Sequence, residues 1–337
     1  MRTTTDSIDA SATRRTHRFR PLVRYTVKRL LTTIITLFAI SVATLSMLQL
    51  LPGDVGRSIL GQYATDEQVA QLNHQLGTDR PALSQYVTWL TNFLQGDWGE
   101  SLQLGGAVRP LILERLTNSL LLAVAALVVV VPLSLAAGTL AALHRERLID
   151  RVISLLGVSL LAIPEFVSGV VLLVIFGVNL GWFPTQSHVP SGDPIDILRQ
   201  FTLPVIPLCL ILFGYIARMM RASMIEVLDQ HYTRTAVLKG LPLSAVIRRH
   251  VLRNSLLPVI TVITGQVGYL VGGLVIVETL FSYPGIGNLA YQAAKFHDVN
   301  VLEASVLMVG AAVLAANFLG DILIAVLNPR VTLGRSS

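Results

Sequence analysis

The sequence predicts an all-α integral membrane protein with six membrane-spanning helices. Three observations carry that prediction. Of 337 residues, 53% are hydrophobic and only 14% charged, against about 25% charged in an ordinary soluble domain. Six long apolar runs are almost free of charge, and the basic residues cluster in short groups between them. The formal net charge of +6 therefore reflects loops rather than a basic face interleaved with aromatics, which argues against a nucleic-acid partner. The single cysteine, Cys209, cannot form an internal disulfide and reads as a packed thiol.

Taken in order, a basic tail (residues 1–29) leads into a first span at 30–51. That run is uncharged and longer than the roughly 7–15 residues of a signal-peptide core. Residues 52–115 read as an outer helical subdomain. Thr65 and Gln68 have capping-box spacing and Gly77 suits the end of that helix. Thr78 through Pro81 open a second helix, whose Leu83, Val87, Leu90 and Leu94 form an apolar stripe before Gly96 ends it. Trp89 and Trp98 read as core residues of this subdomain or as interfacial anchors, with core favoured for Trp89. The membrane core, residues 116–327, holds spans at 116–143, 152–176, 201–217, 254–277 and 304–327, most of them near the 20 or so residues a bilayer requires. Pro132 interrupts the second span, Pro164 beside Glu165 the third, and Pro204 and Pro207 the fourth. Gly181 to Pro184 marks an outer turn, and residues 328–337 form a second tail.

Loop charge sets the orientation. Lys and Arg total twenty in residues 1–29, 144–151, 218–253 and 328–337, against five in the alternate loops. By the positive-inside rule both termini lie in the cytoplasm. None of the three lysines, Lys28, Lys239 and Lys295, follows a glycine, so no P-loop is present. Neither a His-Glu-x-x-His zinc site nor a Gly-x-Ser-x-Gly elbow occurs. The chain reads as non-catalytic.

The largest inner loop, 218–253, is far longer than a turn between spans requires. It reads as a helix over 222–239, a C-cap at Gly240, and a second helix with Pro242 in its first turn, running into Arg248, Arg249, His250 and Arg253. Such a loop is either a solvated surface element or a rigid helix-turn-helix on which a partner docks.

Here the residues resemble a known family. Tyr232-Thr-Arg-Thr-Ala-Val-Leu-Lys-Gly-Leu241, followed by His250-Val-Leu-Arg-Asn-Ser-Leu-Leu-Pro258, is similar to the cytoplasmic loop of binding-protein-dependent ABC importer permeases, closest to the dipeptide, oligopeptide and nickel branch. Glu278-Thr-Leu-Phe-Ser-Tyr-Pro-Gly-Ile-Gly287, Asn328-Pro-Arg330, and the outer run from Leu76 through Trp98-Gly99 also resemble that branch, in the expected order. The resemblance implies a coupling helix seated in a cytoplasmic ATPase, with Tyr232, Arg234, Thr235, Ala236, Lys239, Gly240 and Leu241 at the docking site. Arg234 stands where the general motif has Glu, and His231 replaces the acid often found before the Tyr. It further implies a second homologous permease, two ATPase subunits and an extracytoplasmic substrate-binding protein. No cofactor is expected in this chain, ATP and Mg being bound by the ATPase subunits. Peptides are the default cargo of that branch, with nickel, glutathione, opines and oligosaccharides as alternatives.

Three acids fall within or beside the spans. Glu165 reads as a translocation-path group or a structural partner, Asp321 as a structural acid pairing with Arg330 or a loop Arg, and Glu278 as a brace for the Tyr283-Pro284-Gly285 turn. Gly268 and Gly272 permit close helix approach. An ion-coupled secondary transporter using such acids is the alternative class; its uptake would persist with the ATPase inactive.

Overall fold

In the computed structural model the long apolar runs become helices, since a backbone among lipid tails must satisfy its own N–H and C=O groups. The structure describes residues 27, 29–44, 46, 55–61, 63–76, 79, 81–101, 103–296 and 298–327. Along them run α1 (Arg29–Thr44), α2 (Val55–Leu60), α3 (Asp66–Leu76), α4 (Ala82–Gln95), α5 (Val108–Leu143), α6 (Leu148–Ala162), α7 (Glu165–Leu172), α8 (Pro194–Leu228), α9 (His231–Leu238), α10 (Leu243–Val246), α11 (Leu252–Leu280), α12 (Ile286–Phe296) and α13 (Val299–Leu327). Two stretches widen into π-helix, Leu173–Asn179 after α7 and Ile247–Val251 between α10 and α11.

Four of these helices are long and apolar enough to cross a membrane: Val108–Leu143, Pro194–Leu228, Leu243–Leu280 and Val299–Ile322. The expected span at 152–176 is not one straight helix. It breaks between α6 and α7 with a bend of 98°, and counts as a fifth span only if the two arms are taken together. Ile163 is extended (φ −94°, ψ 117°) and Pro164 follows at φ −58°, ψ 143°. Proline disfavours helical geometry in the residue before it and offers no N–H to the preceding turn. The expected first span is represented by the shorter apolar α1; residues 47–54, like the tails at 1–26 and 328–337 with Asn328-Pro-Arg330, lie outside the described residues.

One local expectation is revised, and another gains detail. The helix expected over 222–239 is two helices, because Gln230 turns extended (ψ 144°) after α8 ends at Leu228. The stripe of Leu83, Val87 and Leu94 on α4 faces outward, while Tyr86 is the residue that α4 buries. The capping box forms as read: Gln68 N–H donates to Thr65 Oγ1 (3.3 Å) and Thr65 N–H to Gln68 Oε1 (3.1 Å). Gly77, Thr78 and Arg80 lie outside the described residues.

The core lies where α5, α8 and α11 meet, with Leu122, Ala126, Leu212, Ile216, Met220 and Leu274 buried in it. Gly138 sets the α5–α8 crossing, since a Cβ there would collide with the Ala217 carbonyl and Met220. Ser223 Oγ donates to the Ser255 carbonyl (2.9 Å), tying α8 to α11.

Two carboxylates hold the opposite end of the bundle. Glu278, fully buried, accepts from the Ser119 hydroxyl, from Gly287 N–H (2.8 Å) and from Asn288 N–H (3.1 Å). It thus joins α5 and α11 to the N-terminus of α12, where free N–H groups and the helix dipole favour an anion. Gly285 lies against that carboxylate so closely that any Cβ would overlap it. Asp298 accepts from Ser101 Oγ (2.6 Å) and Val301 N–H (3.4 Å), capping α13 and anchoring the outer loop. Glu278→Ala leaves buried donors unpaired and is expected to lower stability by about 3 kcal/mol or more. Thermal unfolding in detergent checks this, with Ser119→Ala, which removes one donor, expected to cost less.

Candidate partner-docking site

The segment from His231 to Val251 caps the end of the bundle where α8 stops and α11 begins. Thr233 and Ala236 are the buried residues of α9, and Thr233 Oγ1 donates to the Val227 carbonyl (2.8 Å), clamping α9 across the break to the end of α8. The chain leaves α9 through a left-handed C-cap. Gly240 has φ +79°, and its N–H donates to the Val237 carbonyl (2.9 Å), as Lys239 N–H does to Thr235 (3.0 Å). Among the described residues nothing lies within 4 Å of the position a Gly240 Cβ would take, so the demand for glycine is one of backbone angle, not space. Pro242 (φ −61°, ψ 140°) then stands immediately before α10 rather than inside its first turn. Val246 and Val251 bury the return arm.

Held this way, the element presents an apolar and basic face to its surroundings. Tyr232, Val237, Leu238, Leu241 and Leu243 are exposed, Leu238 by 87%, among exposed Arg234, Thr235 and Lys239. Asn254 Nδ2 donates to the Tyr232 hydroxyl (3.4 Å), linking this face to α11.

Beneath it lies an ion pair that the sequence reading missed. Arg221 on α8 grips both carboxylate oxygens of Asp150 in the first turn of α6, through Nε and through Nη2 at 2.7 Å. Glu146 N–H (2.9 Å) and the Ser154 hydroxyl (3.2 Å) complete the shell around Asp150. Glu146 adopts φ +67° to turn its N–H inward, an uncommon angle for a non-glycine residue. Asp150 lies 71 positions from Arg221, so no local spacing announces the pair. A second, exposed pair joins Arg145 to Asp229 at 3.4 Å, directly at the α8–α9 break.

The three acids singled out from sequence lie at three separate places. Glu165, buried at the start of α7, accepts from the Tyr269 hydroxyl of α11 (2.9 Å). Glu278 sits at the far end of α11 in the clamp described above. Asp321 pairs with Arg29 of α1 at 2.7 Å; the expected partner Arg330 lies outside the described residues.

Comparison with known proteins decides what this architecture serves. The family described as binding-protein-dependent transport system inner membrane component matches residues 134–333, and its N-terminal companion matches residues 22–128. The chain belongs to this family. It is the membrane permease subunit of an ABC importer and a multi-pass inner-membrane protein. A Brucella abortus protein provisionally named a peptide transport system permease is 36% identical over 90% of this chain and 98% of its own length. The Escherichia coli K12 glutathione transport system permease GsiC is 34% identical over 92% of this chain and 99% of its own.

For the permease, breaking the Asp150–Arg221 pair strands a largely buried charge. Asp150→Ala or Arg221→Ala is expected to cost about 3 kcal/mol, and the double substitution much less than the sum. A double-mutant cycle on thermal unfolding reads this; strict additivity would contradict it.

Proposed function

We propose that α9, Gly240 and α10 seat on a cytoplasmic ATPase subunit, and that the permease imports peptides or a related small solute through a path shared with a second, homologous permease. The observation that carries the reading is the exposed face of Tyr232, Arg234, Leu238, Lys239 and Leu241 on an element clamped to both α8 and α11. A partner that moves this element moves the ends of two membrane helices with it. Two ATPase subunits, which bind ATP and Mg, and an extracytoplasmic substrate-binding protein complete the assembly. In this reading α1 and the bent α6–α7 pair are the remaining spans of a six-span protein, with both termini and the docking element in the cytoplasm.

The cargo follows from the named relatives, one a peptide system and the other a glutathione system; glutathione is itself a small peptide. Glu165 is the acid assigned to the path. Its carboxylate sits at the helix break, and its partner Tyr269 is 48% exposed on α11. Asp321 and Glu278 act as structural groups.

Docking depends on the left-handed residue, so the decisive test is at Gly240. Gly240→Val imposes about 1–2 kcal/mol of backbone strain and is expected to abolish uptake in vesicles while the chain still inserts. Gly240→Asn, which tolerates φ > 0, is expected to retain most uptake. Normal transport by the Val variant contradicts the reading.

A further inference from the structure

Helix α4 carries no charged residue from Ala82 to Gln95, although Asp79 and Asp97 flank it closely. Its side chains fall on three faces. Tyr86, Trp89 and Phe93 form a ladder of rings that begins at Phe38 of α1 and ends at Trp98, with neighbouring centroids 4.6–6.1 Å apart. Ser84, Thr88, Thr91, Asn92 and Gln95 make a neutral polar face. Between them run Leu83, Val87, Leu90 and Leu94, of which Leu83 is 75%, Val87 54% and Leu94 77% exposed. A helix amphipathic in this way has an apolar stripe that the described residues of this chain leave uncovered.

The contacts of α1 fix where that stripe sits. Arg29 pairs with Asp321, and farther along α1 Ile40 packs on Gly310, whose Cβ would lie 3.3 Å from Ile40 Cδ1. Both intervals are the same number of residues, so α1 and α13 run antiparallel in register. Tyr86 meets α1 at Phe38 (6.1 Å between centroids) and at Ser41, hydroxyl to hydroxyl at 2.7 Å. At 1.5 Å per residue, Ser41 lies about 18 Å along α1 from Arg29, which is inside a hydrocarbon core roughly 30 Å thick. Tilt of α1 only reduces that depth. α1 itself exposes Leu31, Ile34, Ile35 and Phe38, and Phe38 is the residue whose ring meets Tyr86 of α4.

We propose that α4 is an interfacial helix, lying along the leaflet farther from Arg29 with Leu83, Val87, Leu90 and Leu94 among lipid acyl chains. Tyr86 reaches down to α1, and the neutral face meets water. In the proposed topology this is the outer leaflet. The lipid contact itself does not depend on which side faces out, so the two readings fail separately. Lipid then supports the middle of the outer subdomain that precedes the transport core.

The test uses the intact importer reconstituted in phosphatidylethanolamine–phosphatidylglycerol vesicles. Leu83→Cys, Val87→Cys and Leu94→Cys, each with Cys209→Ser, are labelled with an environment-sensitive fluorophore, and Thr88→Cys serves as the polar-face reference. Doxyl-lipid quenchers are expected to quench the first three at least threefold more than aqueous iodide does, with the order reversed at Thr88. Iodide dominance at the stripe overturns the proposal, as does protection from both quenchers, which means that protein covers it. Should a variant fail to assemble, acyl-chain diazirine lipids added to the unsubstituted importer supply a second reading. Crosslinks mapped to 82–95 support the lipid contact, and their absence beside labelled α1 overturns it.

Discussion

The ion pair between Asp150 and Arg221 is the joint on which the docking end of the molecule depends. Gly138 lets α5 approach α8 beside this pair, since a Cβ there would meet the Ala217 carbonyl, Met220 and the Arg221 backbone N. The pair in turn requires the Glu146 turn, which delivers an N–H to the same carboxylate. A buried pair of this kind adds little net stability over an apolar contact, but removing one partner is costly. What it supplies is attachment: α6 follows α8, and α8 follows α9 through Thr233 and Val227. Hydrogen bonds and the ion pair thus link α9 to α8 and α8 to the first turn of α6.

The two ends of the bundle are built differently. At the far end, Glu278 and Asp298 each hold a helix N-terminus and a distant segment at once, giving a rigid frame around α12 and α13. The 98° bend lies at mid-bundle, the π-helical stretch Ile247–Val251 at the docking end, and the stretch Leu173–Asn179 at the far end, where Gly177 sits beside Leu203. Wide turns and proline breaks are where helices yield, and both recur at functional positions.

Much of this was legible in the sequence because it is local. Gly240 needs only its own φ angle, the Thr65–Gln68 box needs only its spacing, and four of the spans need only length and apolarity. The misreadings are non-local. The run at 152–176 is apolar apart from Glu165 and three serines, so hydropathy shows a span but not the 98° bend within it, which depends on a backbone turn at Ile163 and Pro164. The helix over 222–239 has unbroken helix-forming composition, and the break at Gln230 comes from Thr233 and Ala236 packing back on α8. Periodicity identified the stripe of Leu83, Val87 and Leu94 but could not say that Tyr86, on the neighbouring face, makes the protein contact. The site acids divided likewise: Asp321 found Arg29, and the Glu165–Tyr269 and Glu278–Ser119 pairs join residues 104 and 159 positions apart.

The central claim is that the α9–Gly240–α10 face is where the energy-supplying partner binds. Hydrogen–deuterium exchange of the reconstituted permease, with and without its ATPase subunits, tests it most directly. The account predicts slowed exchange across residues 231–243 on adding the ATPase, with residues 286–304 unchanged. Unaltered exchange at 231–243, with protection appearing elsewhere, would contradict it.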